Sequence, residues 1–223
     1  VLYDIAVKKQ FRKFTMHSKI VLCMTAVLIV SGAVLLKVIE HGRWMDMFFQ
    51  SVTARTAGFK TIEIGQMTSG GILVLIVLMF IGASPGSTGG GIKTTTFFTM
   101  LITAFSLARG KKLSAFQRKI PTDSVIKAFT IAFYAMCLVV TSTFLVSLGN
   151  PEMSLRQVLF ECVSAFGTVG LSTGVTGDLS VFSKTVIIIT MFFGRLGPFT
   201  IACVGNLGHE TNLDFVEENI TVG

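Results

Sequence analysis

Charged residues are scarce in this sequence: Asp, Glu, Lys and Arg make up 14% of its 223 residues, whereas 51% are hydrophobic. A soluble domain normally has about a quarter of its residues charged. No charge occurs in 20–36, 64–92, 94–108, 128–151 or 185–194. Because the hydrocarbon core of a bilayer takes about 20 helical residues to cross, these stretches predict an all-α integral membrane protein. Full spans are expected near 18–39, 70–92 with a broken continuation to 108, 127–149 and 181–207.

Residues that form crosslinks or bind metals are equally few. The four cysteines show no Cys-x-x-Cys spacing and lie inside apolar stretches, which is typical of small buried side chains. The three histidines are far apart at segment edges. The sequence therefore predicts no disulfide, no resident metal and no cofactor. These residues are Cys23, Cys137, Cys162, Cys203, His17, His41 and His209.

The few charges are unevenly distributed, and their placement predicts a topology. Basic residues dominate segment 1–17 and linker 109–126, so the positive-inside rule places both in the cytoplasm. The connections after the first and third spans carry mixed charge and are expected outside. A nucleic-acid interface needs a soluble basic face with interleaved aromatics, which is missing here, so no nucleic-acid partner is expected. The tail 208–223 is acidic and is also expected in the cytoplasm, with Glu210, Asp214, Glu217 and Glu218.

The sequence contains an internal repeat with an offset of 112 residues. Eleven positions between 48 and 88 hold the same residue 112 positions later, without a gap. The offset indicates two tandem copies of one supersecondary unit, 18–108 and 127–207. Each copy reads as a span, a short helix, a loop and a returning apolar segment that breaks at Met-Phe-x-Gly. The short helices, near 44–53 and 155–165, reach only about half-way through the hydrocarbon at 1.5 Å per residue.

A Thr-x-Gly sequence follows each short helix. We call Thr53–Phe59 the first loop and Phe166–Ser172 the second loop. Glycine adopts positive φ without strain, which allows successive carbonyls to point into a narrow channel and replace the hydration shell of a cation. The alternative is an ordinary extracellular turn, which the placement of both copies after half-length helices disfavours. The predicted ion-binding residues are Thr56, Ala57, Gly58, Phe59, Thr168, Val169, Gly170 and Leu171.

A glycine-rich segment, 82–94, interrupts the apolar stretch that follows the first loop. Non-helical backbone at mid-membrane depth must be buried in protein or line an aqueous cavity, so this segment is expected in a pore. A phosphate-binding loop is the competing interpretation, but Ile92 separates Gly91 from Lys93 and breaks that motif. We therefore expect no enzyme. The residues concerned are Gly82, Ala83, Ser84, Pro85, Gly86, Ser87, Thr88, Gly89, Gly90, Gly91 and Lys93.

Arg195 is a charge in the middle of the last apolar stretch, where the first copy has Ala83. A guanidinium at that depth costs on the order of 3 kcal/mol, so it is expected to face the bundle interior or water and to be paired. The alternative is a structural ion pair without a role in transport.

These motifs together resemble a known family. The two loops, the glycine-rich segment and Phe193-Gly-Arg-Leu-Gly-Pro198 are similar to the third and fourth repeats of potassium-translocating membrane subunits of the Ktr/Trk (Trk/Ktr/HKT) type, over nearly the whole chain. The resemblance implies a potassium-channel-like arrangement of two membrane–pore loop–membrane repeats. It also implies potassium uptake in the bacterial cell membrane, with segment 82–94 as a gate below the filter. Arg195 would then be a barrier beside the ion path, or a latch on carbonyls of the gate.

The same resemblance implies several partners besides membrane lipid. Family members have four repeats around one pore, so an N-terminal half with the first two repeats is expected. The chain starts without an initiator methionine or a signal peptide, which also suggests a piece of a longer protein. A homodimer and a cytoplasmic nucleotide-binding ring are further expectations, while sodium dependence stays open. The alternative function is a non-conducting membrane scaffold or assembly subunit with closed pore loops.

Overall fold

The structure, a computed structural model, describes Val1, Asp4 and residues 13–197. The predicted acidic tail, the end of the last span and most of the basic segment 1–17 lie outside the described residues. The described part has seven α-helices. They are α1 (Met16–Glu40), α2 (Trp44–Thr53), α3 (Ser69–Phe80), α4 (Thr94–Ala108), α5 (Thr122–Gly149), α6 (Leu155–Phe166) and α7 (Val181–Leu196).

Two of these helices, α1 and α5, are long and apolar enough to cross a membrane. The side chain of Thr15 caps α1 by accepting a hydrogen bond from Ser18 N at 3.3 Å. Helix α5 follows Pro121, whose backbone lacks an N–H and therefore suits a helix start. Because α5 begins at Thr122, the last five residues of the predicted linker 109–126 are helical.

The broken stretch predicted at 70–108 consists of two helices. Helix α3 has 12 residues and α4 has 15, and both are apolar. The two ends of the intervening chain are held together by an isolated parallel β-bridge between Ile81 and Ile92. The break expected from the glycines and the proline therefore lies between Phe80 and Thr94.

The corresponding break in the second copy does not occur where it was expected. Helix α7 continues four residues beyond Phe192, the counterpart of Phe80, and passes through Gly194 and Arg195 before it ends at Leu196. The prediction of a break at the second Met-Phe-x-Gly is therefore wrong. The physical reason is that the long cluster of glycines and a proline after Gly82 is reduced after Gly194 to Gly197 and Pro198, so the backbone remains helical up to Gly197, which has a φ of 86°.

Elsewhere the two halves match in local detail. Thr68 and Ser180, 112 residues apart, both cap the helix that follows each loop. Their hydroxyl oxygens accept hydrogen bonds from Gly71 N at 3.1 Å and Ser183 N at 3.2 Å. Short 3₁₀ helices, Ile64–Gln66 and Val175–Asp178, also occur at nearly the same offset.

The core is built around the short helix α6. Its residues from Phe160 to Phe166 are all buried. α3 and α6 pack against each other and join the two halves, with the rings of Phe80 and Phe166 5.5 Å apart. Large apolar side chains on the outer faces of α1, α5 and α7 are exposed instead, as expected for helices that contact lipid or further membrane helices.

The linker between α4 and α5 contains a small hairpin that the all-α prediction missed. Strands β1 (Ser114–Ala115) and β2 (Arg118–Lys119) pair antiparallel across Phe116 and Gln117, which have φ values of 49° and 62°. Two left-handed residues form the turn whose twist matches that of paired strands. Lys19 Nζ lies 5.9 Å from the centre of the Phe116 ring and links the hairpin to α1.

Candidate functional site

The first and second loops are in direct backbone contact. A Cβ atom added to Gly58 would lie only 2.2 Å from the carbonyl oxygen of Val169. Further along, a Cβ on Gly65 would lie 2.7 Å from the carbonyl oxygen of Thr173. Because no side chain fits at either position, these two glycines allow the loops to approach each other.

Both loops have the same alternating backbone conformation. Thr56 and Gly58 have φ values of 73° and 80°, and their counterparts Thr168 and Gly170 have 51° and 87°. The residues between them are not left-handed. Alternation of handedness turns successive carbonyls to the same side of the chain, which is the arrangement that a carbonyl-lined ion site requires. A left-handed threonine is strained because of its branched Cβ, and such strain tends to occur at functional sites.

A hydroxyl from each short helix holds the residue after the loop glycine. Thr53 Oγ1 donates to the Phe59 carbonyl at 2.6 Å and accepts from Phe59 N at 2.8 Å. Ser164 Oγ donates to the Leu171 carbonyl at 2.6 Å. Phe59 and Leu171 are repeat counterparts, but Thr53 and Ser164 are one position out of register. The sequence comparison missed these two residues because they are not identities at the offset of 112.

Replacing Thr53 by valine is expected to destabilise the protein by about 1–3 kcal/mol, because valine keeps the shape but removes two hydrogen bonds to the main chain of Phe59, each worth about 0.5–1.5 kcal/mol. The measurement is the thermal unfolding midpoint in detergent. Thr130→Val is the control, since the partly exposed Thr130 hydroxyl bonds only the Ile126 carbonyl of its own helix. Equal midpoints for the two variants would contradict the bracing role of Thr53.

The glycine-rich segment lies against the threonines of both loops. A Cβ on Gly89 would lie 2.6 Å from Thr56 Oγ1, and Gly90 N donates to Thr168 Oγ1 at 2.8 Å. Gly91 N donates to the Phe166 carbonyl at 3.2 Å. A Cβ on Gly90 would also lie 2.8 Å from the Phe166 carbonyl oxygen, so a side chain does not fit where the segment meets the second loop.

The rest of the segment is divided into an exposed tip and a packed base. Gly86, Ser87 and Thr88 are exposed, and the tip turns through a bond from Ser87 N to the Ser84 carbonyl of 3.2 Å. The base is held by Ile92 N, which donates to the Phe80 carbonyl at 3.1 Å. Lys93 Nζ donates to the Gly89 carbonyl. The sequence-predicted residues of this segment are thus brought together, with Gly89 and Gly90 nearest to the loops.

Arg55 is a site residue that the sequence analysis missed. Its guanidinium donates to the Thr25 carbonyl of α1 at 3.3 Å and to the Gly82 carbonyl at 3.5 Å. Its Nε is buried without a partner among the described residues. Arg55 thus connects the first loop to α1 and to the start of the glycine-rich segment. A charge within an otherwise small and polar loop was the available signal.

Arg195 has no pairing partner among the described residues, so its expected pairing stays a prediction. Its residue is exposed, and no hydrogen bond or salt bridge to it is found within residues 13–197. It lies near enough to Lys93 for the two like charges to repel. The guanidinium that bonds a carbonyl of the glycine-rich segment is that of Arg55, so the latch contact suggested for Arg195 is made by a different residue in this structure.

A set of apolar helices with half-length helices leading into two apposed loops is typical of membrane transport proteins. The profile of the TrkH family, described as a cation transport protein, matches residues 10–211, and the chain belongs to this family. The family resemblance seen in the sequence is therefore confirmed. Its family is one of membrane transport proteins and not of enzymes.

Individual relatives support the same assignment. The chain is 36% identical to Ktr system potassium uptake protein B of Vibrio alginolyticus, covering 97% of this chain and 50% of the relative. It is 37% identical to potassium/sodium uptake protein NtpJ of Enterococcus hirae, covering 99% and 53%. The crystal structure of the potassium transporter TrkH from Vibrio parahaemolyticus shares the fold, with a TM-score of 0.69, 21% identity and coverage of 84% and 43%. The chain spans about half the length of the curated relatives it matches.

Proposed function

We propose that this chain is the C-terminal half of a potassium uptake subunit that conducts through a carbonyl-lined selectivity filter. The observation that supports this most directly is the contact between two loops that share one alternating backbone conformation. The names of the relatives, which take up potassium or potassium and sodium, support the choice of ion.

In this proposal the ion is bound mainly by main-chain oxygens. The carbonyls of Thr56, Ala57, Gly58 and Phe59, and those of their four counterparts from Thr168 to Leu171, replace water around a dehydrated ion. The hydroxyls of Thr56 and Thr168 add oxygen ligands at one end of the loops. A weakly hydrated potassium ion suits such a site because neutral carbonyl dipoles can replace its water.

The remaining half of the filter would come from a partner. A four-sided filter needs four loops, and this chain supplies two of them. We propose that an N-terminal half with the first two repeats completes the pore in a multi-pass membrane unit. A homodimer of such units resting on a cytoplasmic nucleotide-binding ring is proposed from the family resemblance alone.

We also propose that the glycine-rich segment is the gate of this pore. The proposal is supported by the contacts of Gly89 with the Thr56 side chain and of Gly90 N with the Thr168 hydroxyl, one in each loop. While Gly90 N donates to the Thr168 hydroxyl, that oxygen has one lone pair fewer for an ion. Movement of the segment would therefore open the path and free an ion ligand together.

Deleting Ser84–Gly90 is expected to raise potassium uptake several-fold while leaving the preference over sodium mainly intact. The deletion removes the residues that cover the threonines, whereas the bridge between Ile81 and Ile92 keeps the base of the segment together. The measurement is initial uptake of potassium by cells that lack other potassium uptake systems.

Two controls accompany this deletion. Ser87→Ala at the exposed tip touches neither loop and should leave uptake unchanged. Surface expression of each variant is measured in parallel. A shortened protein that inserts normally and conducts no faster than the parent would show that the segment is not a gate.

The second candidate function is a non-conducting scaffold or assembly subunit. The observation that favours this candidate is that the glycine-rich segment lies against the threonines of both loops, as it would in a pore that stays closed. A flux measurement on the complete protein separates the two functions, because a scaffold gives no potassium flux with or without the deletion.

A further inference from the structure

One buried carboxylate, that of Glu161, has not been used by the proposed filter or gate. Glu161 lies on α6, seven residues before the left-handed Thr168 of the second loop, and is only 6% exposed. Its side chain points to the stretch 172–176, which follows the loop glycine. It therefore lies behind the loop and not in line with the proposed ion ligands.

Glu161 accepts four hydrogen bonds from this stretch. Its Oε1 accepts from Ser172 Oγ at 2.7 Å, from Thr173 N at 2.9 Å and from Thr173 Oγ1 at 3.2 Å. Its Oε2 accepts from Thr176 Oγ1 at 2.9 Å. A carboxylate presents two oxygens with about four acceptor positions, so it suits a site in which hydroxyl and amide donors converge.

The first loop has no such brace. The position 112 residues before Glu161 is Phe49, which is exposed and apolar; the one-residue shift that relates Thr53 to Ser164 makes the buried, uncharged Gln50 the residue of α2 that matches Glu161. Thr61, the counterpart of Thr173, receives a single side-chain bond from Gln50 Nε2, at 3.4 Å. The two loops therefore share a backbone conformation but differ in how firmly the chain beyond the glycine is held.

We propose that Glu161 is a positioning residue that sets the ion preference of the filter through the second loop; this inference rests on the proposed function. Leu171 is held at its carbonyl by Ser164, and the two residues after it are held by Glu161. Residues 171–173 are therefore clamped from both sides. When the hydrogen bonds to Glu161 are removed, the carbonyls of the second loop can move inward around the smaller sodium ion.

The length of the side chain and its acceptors both matter in this role. Aspartate is one methylene shorter, by about 1.5 Å, and cannot reach all four donors without moving the helix. Glutamine keeps the length, retains an oxygen for Ser172 and Thr173, and places its amide beside the Thr176 hydroxyl, which can accept. The two conservative substitutions therefore have different expected effects.

The test is competitive uptake of potassium and sodium by the complete transporter, which contains this chain together with the proposed N-terminal half. Glu161→Ala and Glu161→Asp are each expected to reduce the preference for potassium about tenfold, while Glu161→Gln stays within about threefold of the parent. Phe49→Ala, at the exposed position 112 residues before Glu161, and Glu152→Ala, an exposed carboxylate outside the cluster, are expected to keep the parent's preference.

Thr176→Val removes one of the four bonds and provides a second measurement if Glu161→Ala fails to insert. It is expected to lower the preference about two- to threefold at normal expression. An unchanged preference in Glu161→Ala, or in Thr176→Val where that variant has to be used, would overturn the inference alone. A loss in Glu161→Gln as large as that in Glu161→Ala would also overturn it, because charge and not bonding geometry would then be responsible. A parent with no preference for potassium would overturn the proposed function and this inference together.

Discussion

Gly170→Ser is expected to fold and insert normally but to admit sodium more readily than the parent. Gly170 has a φ of 87°, and an added Cβ would meet no atom within 4 Å among the described residues. The effect therefore comes from conformation and not from a clash. A side chain in the left-handed region costs about 1–2 kcal/mol, which the loop can relieve by turning a carbonyl away from the ion.

The expected loss of potassium preference follows from the binding free energy that is lost when one carbonyl points away from the ion. Each 1.4 kcal/mol of lost difference in binding free energy reduces the preference for potassium about tenfold. Competitive uptake of the two ions by the complete protein, at matched surface expression, measures this preference. An unchanged preference in Gly170→Ser would remove the filter assignment and the function built on it.

Serine substitutions at two further glycines, Gly58 and Gly177, provide comparisons for Gly170→Ser. The repeat predicts that Gly58→Ser behaves like Gly170→Ser, but the structure places the Val169 carbonyl 2.2 Å from a Cβ at Gly58. We therefore expect Gly58→Ser to disturb both loops, with at least the same loss of preference and lower expression. Gly177→Ser is the control, since Gly177 has no positive φ and no atom within 4 Å of an added Cβ. It should keep the parent's preference.

The isolated chain is expected to show no potassium-selective flux when it is reconstituted into vesicles. Two loops supply only half of a four-sided filter, so an ion would be left with water or lipid on the open side. Apolar side chains exposed on α1, α5 and α7 are also consistent with surfaces that contact other membrane helices. Potassium-driven changes in vesicle membrane potential provide the measurement.

The control for this experiment is co-reconstitution with the N-terminal half. Adding that half is expected to restore flux that prefers potassium, and Gly170→Ser in the restored protein should lower the preference again. Selective flux from a preparation shown to hold one copy of this chain per pore would contradict the proposal that the chain is half of a pore.

The sequence alone predicted several features of this protein because their signals are local. Uncharged stretches predicted the long helices α1 and α5, and the lengths of polar and apolar segments predicted the short helices α2 and α6. The cluster of Gly and Pro between Phe80 and Thr94 predicted the break between α3 and α4. The offset of 112 residues predicted that the two loops are copies of one unit, and Thr56 and Thr168 in these loops are both left-handed.

Other features depend on which parts of the chain meet in space. No pattern in the sequence indicated that Gly58 contacts Val169, that Arg55 bonds Gly82, or that Glu161 gathers donors from 172–176. The hairpin at 114–119 has no Gly or Asn at its turn, so its signal was weak. The continuation of α7 past Gly194 was also missed, because an identical short motif has opposite outcomes in the two halves. Hydropathy and glycine content determine where helices and breaks occur, whereas the hydrogen bonds that hold the loops are fixed only when the two halves pack together.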